Sequence, residues 1–207
     1  MPEPPVSKAS LADALFKIGA LRFGKFTLSS GKTGSYYLDL RIIPSYPEVY
    51  AMVVEAYKGV VGRLGASEFD VIAGVATAGV TISSPLAFLL KKPMVYVRRE
   101  NKGHGLGKLM EGAVLPGWKA LVVDDVVTTG ESIASAVEVL RKEGCRVTDA
   151  TVLVDRLEGG EGNLRGIGVK LSPVAQVREL IDILYEAGKV TKRDYEDVLR
   201  QVSGGQK

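Results

Sequence analysis

Two adjacent carboxylates, Asp124 and Asp125, follow the apolar run Leu121-Val122-Val123 and precede Val126-Val127-Thr128-Thr129-Gly130-Glu131-Ser132. The apolar run reads as a buried strand, and the hydroxyls and glycine after it as a short loop that opens directly into a helix. Backbone N–H groups at a helix start, helped by threonine and serine hydroxyls, form a cradle for a phosphate dianion. Carboxylates beside that cradle can accept hydrogen bonds from a sugar diol. A phosphorylated ribose needs both. The plain alternative is a strand ending in solvated acids, followed by an ordinary helix N-cap. Other phosphate motifs fit worse. The Walker pattern is absent, and Gly103-His104-Gly105-Leu106-Gly107 lacks the dinucleotide spacing. A receiver domain carries its paired acids near its start, not at position 124.

The elements that must position these residues alternate regularly. Residues 7–20 read as an amphipathic helix with Leu11, Leu15 and Ile18 on one face. Phe26 to Arg41 holds a turn at Ser29-Ser30-Gly31-Lys32, then a short aromatic strand around Tyr36-Tyr37-Leu38. A longer helix is expected from Pro47 to about Gly65. Asp70–Val75 predicts a strand, Val80–Leu90 a helix and Met94–Arg98 a strand, with a glycine-rich charged loop over about 99–113. Lys119–Asp125 predicts a strand, Glu131–Glu143 a helix stopped at Gly144, and Arg146–Val154 a strand. A further strand near Ile167–Leu171 precedes two helices over about 175–187 and 192–202, the second started by a capping box of Thr191 and Asp194. Strand–helix–strand alternation implies a parallel sheet covered on both faces. Ligands of such a sheet sit beyond the strands' carboxyl ends.

Composition sets the bounds. The chain has 207 residues, 46% hydrophobic and 25% charged, which is enough for one substantial core and too few for two full catalytic domains. Lys and Arg number 27 against 24 acids, a balance that excludes neither nucleic acid nor an anionic metabolite but is not that of a polybasic binder, so any strong positive field is local. No nucleic-acid partner is expected. Cys145 is the one cysteine and His104 the one histidine, which excludes a disulfide framework and Cys- or His-rich metal sites and fits a reducing interior. Val71 to Leu90 is uncharged over a membrane-spanning length, but Gly74, Thr77, Gly79, Thr81, Ser83, Ser84 and Pro85 interrupt it. The start, Met1-Pro2-Glu3-Pro4-Pro5, lacks the pattern of a signal peptide. A cytoplasmic protein without a membrane partner is expected.

At residues 121–132 the chain resembles the type I phosphoribosyltransferases. The resemblance implies an α/β fold with a mostly parallel central sheet, helices on both faces and a small N-terminal hood. One domain over 1–207 would hold the hood (about 20–45), the core (about 46–160) and a C-terminal strand and helices (about 165–202). The family binds phosphoribosyl diphosphate (PRPP) with Mg²⁺ and exchanges pyrophosphate for a nitrogenous base. By resemblance, Asp124 and Asp125 take the ribose hydroxyls, and Thr128, Thr129, Gly130, Glu131 and Ser132 the 5′-phosphate, with Val126 and Val127 in the same PRPP segment. The turn Gly74–Gly79 occupies the pyrophosphate position, with Thr77 and Ala78 the implied contacts. Many bacterial relatives carry lysine where Ala78 and Ser29 stand, so pyrophosphate must rely here on backbone amides and the basic loop. Mg²⁺ is implied mainly through PRPP, with Asp124 or Asp125 joining through water as a further option.

Three segments narrow the resemblance to orotate phosphoribosyltransferases. Phe26-Thr27-Leu28-Ser29-Ser30-Gly31-Lys32 with Ser35-Tyr36-Tyr37 is similar to their hood, where a turn and an aromatic pair cover the flat base. A half-buried hairpin with aromatic core residues is the alternative. Arg98-Arg99-Glu100-Asn101-Lys102-Gly103-His104-Gly105 is similar to their catalytic loop, with Arg98, Arg99, Lys102 and His104 at its basic positions; a solvated charge run is the alternative. The family often has an acid where Leu106 stands, and that position is assigned no role. Arg156 ends a strand where the family binds the carboxylate of orotate, a group that a planar guanidinium meets in bidentate fashion. Taken alone, Arg156 would be read as a surface residue. Thr128, Tyr36 and Tyr37 complete the implied base site. The activity implied is Mg²⁺-dependent formation of orotidine 5′-monophosphate, in a homodimer whose 99–110 loop crosses to the partner's active site. The rivals are a phosphoribosyltransferase for a purine or uracil, and a PRPP-sensing regulator. The length leaves no room for a fused decarboxylase.

Overall fold

Apolar runs that are buried on both faces make the centre of the molecule. The computed structural model describes residues 6–27, 33–98 and 109–204. The chain begins with α1 (Lys8–Lys17) and an antiparallel hairpin of β1 (Leu21–Thr27) and β2 (Thr33–Leu38), then a 3₁₀ turn (Leu40–Ser45) and α2 (Pro47–Leu64). The alternating region follows as β3 (Val71–Val75), α3 (Ala78–Leu90), β4 (Met94–Val97), β5 (Met110–Glu111), β6 (Lys119–Val127), α4 (Glu131–Lys142) and β7 (Arg146–Asp155). It closes with α5 (Gly160–Gly166), β8 (Lys170–Leu171), β9 (Ala175–Gln176), α6 (Val177–Glu186) and α7 (Lys192–Gly204). Thr191 accepts a hydrogen bond from the Asp194 N–H at 3.2 Å, as its capping role requires.

In the described residues the main sheet runs β5-β4-β3-β6-β7-β8, with β9 also on β7. Every pairing in it is parallel except β4 with β5. Alternation sorts the side chains between two cores. Leu121 and Val123 pack with Val53 and Tyr57 of α2, Leu86 of α3 and Leu180 of α6. Ala120 and Val122 pack on the other face with Ile133, Val137 and Leu140 of α4 and Leu164 of α5. The result is the expected α/β architecture, with helices on both faces.

Several boundaries differ from expectation, each for a local reason. β6 continues past Asp125 to Val127 because β7 reaches Asp155 and pairs with it there. Val126 and Val127 therefore belong to a strand, with Val127 buried in the second core. α3 starts at Ala78, two residues earlier than expected, and the strand expected over 167–171 shrinks to Lys170–Leu171. The short α5 was not expected; its seven residues contain three glycines and little apolar periodicity. Met110–Glu111 turns the end of the charged loop into an edge strand, held by the Arg98 N–H donating to Leu109 O at 2.8 Å.

The uncharged run from Val71 to Leu90 is one strand and one helix, and among the described residues no helix is long and apolar enough to cross a membrane. Pro85 lies inside α3 and cannot donate to the Thr81 carbonyl one turn earlier. The Tyr50 hydroxyl of α2 donates to that carbonyl instead. At the start of α3, Gly79 touches β6 so closely that a Cβ there would meet Val123 O at 2.6 Å and Asp124 Cα at 3.1 Å. Gly79→Ala is expected to destabilise the protein by about 1–3 kcal/mol through overpacking. Chemical denaturation measures this, and an unchanged midpoint would show that the contact can relax without cost.

Candidate active site

β3 lies between β4 and β6, so the chain leaves it first to one side and later returns on the other. That reversal opens a crevice beyond the carboxyl ends of β3 and β6. From β3 the crevice receives Ala76-Thr77, joined by a cis peptide, and the first turn of α3. From β6 it receives Asp124, Asp125 and the turn that leads into α4.

Asp124 is 3% exposed, and its Oδ1 accepts the Asp125 N–H at 2.9 Å. The buried Tyr57 hydroxyl donates to the Asp124 carbonyl oxygen at 2.6 Å. Burial pushes the Tyr57 phenol well above its ordinary value, and the charges of Asp125 and Asp124 push it further. Tyr57 is therefore a neutral, permanent donor, and it ties α2 to the backbone under the two acids. Asp125 is more exposed than Asp124.

The segment Val126 to Ile133 wraps a cavity of about 90 Å³. At about 30 Å³ per liquid water, this is room for a small anion or about three waters. Gly130 takes φ 85° to turn the chain into α4, a conformation that costs a side-chain-bearing residue energy. The first N–H groups of α4 have no intrahelical partner, so they are available to the cavity. α5 supports the loop from behind: Asn163 Nδ2 donates to Thr129 O at 2.9 Å, and a Cβ on Gly130 would meet Leu164 Cγ at 3.2 Å. A second cavity of about 210 Å³ joins Glu131 and Ser132 to Val75, Val97 and Arg98. Arg98, paired with Glu111 at 3.0 Å, thus borders the turn that leads into α4.

On the other side of the crevice, Arg156 follows β7 directly and its N–H donates to Val127 O at 3.1 Å. Its side chain is only 18% exposed. Nε donates to the Tyr36 hydroxyl at 2.9 Å, and the guanidinium carbon lies 5.1 Å from the Tyr36 ring centre. Burial raises the Tyr36 phenol above its ordinary value although Arg156 opposes the shift. The hairpin and the core therefore meet at this pair. Tyr37 points to the opposite face of β2, where it packs on Phe26 at 5.7 Å and under Arg22 at 5.1 Å.

Of the residues singled out from the sequence, the fold brings Thr77, Ala78, Asp124, Asp125, Thr128 to Ser132 and Arg98 to one crevice. Tyr36 and Arg156 stand together at its side, and Tyr37 does not join them. Ser29, Arg99, Lys102 and His104, with the turn 29–32 and the loop from 99 to 108, lie outside the described residues. Sequence reasoning missed Tyr57, Asn163 and Glu158. Tyr57 looks like any apolar residue on a helix face, and only the unusual Gly159-Gly160 pair hinted at the element carrying Asn163.

Comparison with known proteins agrees with this geometry. A phosphoribosyl transferase domain model matches residues 46–165, which defines the class. The orotate phosphoribosyltransferase of Cenarchaeum symbiosum is 43% identical over 191 residues, covering 92% of this chain and 94% of the relative. That of Pyrobaculum aerophilum is 46% identical over 171 residues, covering 82% and 87%. The crystal structure of orotate phosphoribosyltransferase from Aeropyrum pernix superposes with a TM-score of 0.77 at 41% identity, covering 87% of this chain and 99% of that one. The chain belongs to the orotate phosphoribosyltransferase family.

The loop geometry predicts that phosphate or sulfate supplied to crystals binds between Thr128 and Ser132, on the first N–H groups of α4. Electron density placing the anion elsewhere, with this loop empty, would remove the phosphate role from it.

Proposed function

We infer that this orotate phosphoribosyltransferase joins PRPP and orotate to give orotidine 5′-monophosphate and pyrophosphate, a step of pyrimidine biosynthesis, and that it requires Mg²⁺. The observation that carries the reading is the convergence of a diol-accepting acid pair, a phosphate-sized loop and a half-buried arginine on one sheet edge. PRPP would be held by its ribose hydroxyls at Asp124 and Asp125 and by its 5′-phosphate at Thr128–Ser132. Its diphosphate would lie toward Thr77 and Ala78, with Arg98 close by. Orotate would lie by Thr128 under the hood, its carboxylate on Arg156. A hard, oxygen-seeking cation fits this donor set. Mg²⁺ characteristically binds one or two carboxylates together with substrate phosphates. Asp124 or Asp125 would reach it through water, and when bound it would neutralise charge on the diphosphate.

In the reaction, the bond from the anomeric carbon to pyrophosphate breaks and a base nitrogen takes its place, through a ribosyl cation. The side chains serve by electrostatics and exclusion of water rather than as nucleophiles. Arg99, Lys102 and His104 would stabilise the charge growing on the leaving oxygen. Their loop is tied at its base by the bond from Arg98 to Leu109, at the same sheet edge. One buried, unpaired cysteine, Cys145, fits the cytoplasm as the compartment.

A substrate panel of orotate, uracil, hypoxanthine and adenine is expected to give product with orotate alone. Arg156→Ala should raise the KM for orotate far more than that for PRPP, because a desolvated charge pair is typically worth ~2–5 kcal/mol. Equal changes in both constants would return Arg156 to a purely structural role.

We also propose a symmetric homodimer in which the 99–110 loop serves the partner's PRPP. Inactive Lys102→Ala and inactive Asp124→Asn, mixed after dissociation, pair randomly into about half mixed dimers, each with one intact site, so roughly a quarter of wild-type activity should return. A mixture that exchanges subunits and stays inactive would assign the loop to its own chain.

A further inference from the structure

The carboxylate-binding arginine is held by a carboxylate of its own chain. Arg156 Nη2 pairs with Glu158 Oε1 at 2.8 Å, while Nε is taken by the Tyr36 hydroxyl at 2.9 Å. Nε and Nη2 form one edge of the planar guanidinium. Nη1 and the second hydrogen of Nη2 form the other edge, which is the fork left for a planar carboxylate. We propose that Glu158 is the positioning residue of the base site: with Tyr36 it clamps one edge of Arg156 so that the opposite edge meets the substrate carboxylate. This rests on the reading of Arg156 as the orotate-carboxylate residue.

The backbone is shaped to bring Glu158 there. Two residues separate neither strand partners nor a helical turn, and Glu158 would ordinarily point along the chain. Leu157 instead adopts φ 61°, a left-handed conformation that costs a residue with a Cβ roughly 1–2 kcal/mol. Its N–H donates to Oδ1 of Asp155 at 2.8 Å, and Asp155 is 2% exposed. The Leu157 side chain packs against the first core, which offsets the backbone cost. Asp155 and Leu157 thus fold the chain back on itself at the end of β7. Glycine would take this backbone more easily, but it would give up the packing that anchors the turn.

A clamp and a plain structural contact differ in what Glu158 does once Arg156 is gone. Steady-state kinetics on Glu158→Ala should show the KM for orotate raised about tenfold, the scale of one charged hydrogen bond, with the KM for PRPP changed less than about twofold. In an Arg156→Ala background the same substitution should change the orotate KM by less than about twofold, because residues that act as a unit are not additive. Glu158→Gln keeps an oxygen acceptor for Nη2 and should recover most of the lost affinity. Equal losses from Glu158→Ala in both backgrounds, or no recovery with glutamine, would overturn the clamp while leaving the orotate reading intact. If Arg156→Ala alone leaves the orotate KM unchanged, the reading of Arg156 fails and the clamp falls with it.

Discussion

The parallel pairing of β3 with β6 is the constraint on which the site depends. Ile72 sits beside Leu121 and Gly74 beside Val123, so β3 ends at the level of the acids and β6 runs on to Val127. Their following helices pack on opposite faces, α3 with the first core and α4 with the second. Two helix starts therefore flank one crevice, and each offers N–H groups without intrahelical partners. This asks for unusual closeness. α3 can reach β6 only because position 79 has no side chain, and the acids of β6 stand where that approach is tightest. The same contact that closes the core also places Asp124.

A second dependence runs through Arg156. A half-buried guanidinium needs partners for its donors, and here they come from two places: Tyr36 in the hairpin and Glu158 just along the chain. β2 is held from another direction by Gln201 of α7, whose side-chain oxygen accepts from both the N–H and the hydroxyl of Ser35. The hairpin is too small to be stable alone. Leu21 and Tyr36 bury it in the first core and Phe23 stacks on Phe16 of α1, so with Arg156 and α7 the position of the hairpin is a property of distant parts of the chain.

These two dependences explain what was legible in the sequence. Parallel strands buried on both faces announce themselves as unbroken apolar runs, so β3, β6 and β7 were found and the α/β class followed. The acid pair and the hydroxyl loop were legible because so few arrangements place those groups after such a strand. Other features depend on partners far away in sequence. The last turn of β6 exists because β7 runs on beside it, and Tyr57 matters only because its hydroxyl meets a carbonyl of β6. α5 has almost no periodicity and is held by packing under the loop at Thr129 and Gly130. Glu158 carried no signal, since its role needs a positive φ at Leu157 that nothing in a leucine suggests. Tyr36 and Tyr37 looked equivalent in sequence, and strand alternation separated them.

The charge balance around the crevice bears on the role proposed for the basic loop. Asp124, Asp125 and Glu131 bring carboxylates to the edge where PRPP, itself highly anionic, is proposed to bind. Against them, besides Arg156 at the side, stand Arg98, already paired with Glu111, and Arg41, which forms two bonds with Asp39 and holds that carboxyl below its ordinary value. Both arginines are partly neutralised before a ligand arrives. Helix N-termini contribute only about half a charge each. In the proposed reaction the leaving pyrophosphate gains further negative charge, so the deficit grows as the bond breaks. Arg99, Lys102 and Lys108 are the cations nearest in sequence to that edge, with His104 among them, and the segments on either side are joined there by Arg98 and Leu109. With Ala78 in it, the turn from Gly74 to Gly79, where the diphosphate is proposed to lie, carries no cation. In the proposed reaction, stabilisation of the leaving group would therefore fall to the residues of the loop and to Mg²⁺.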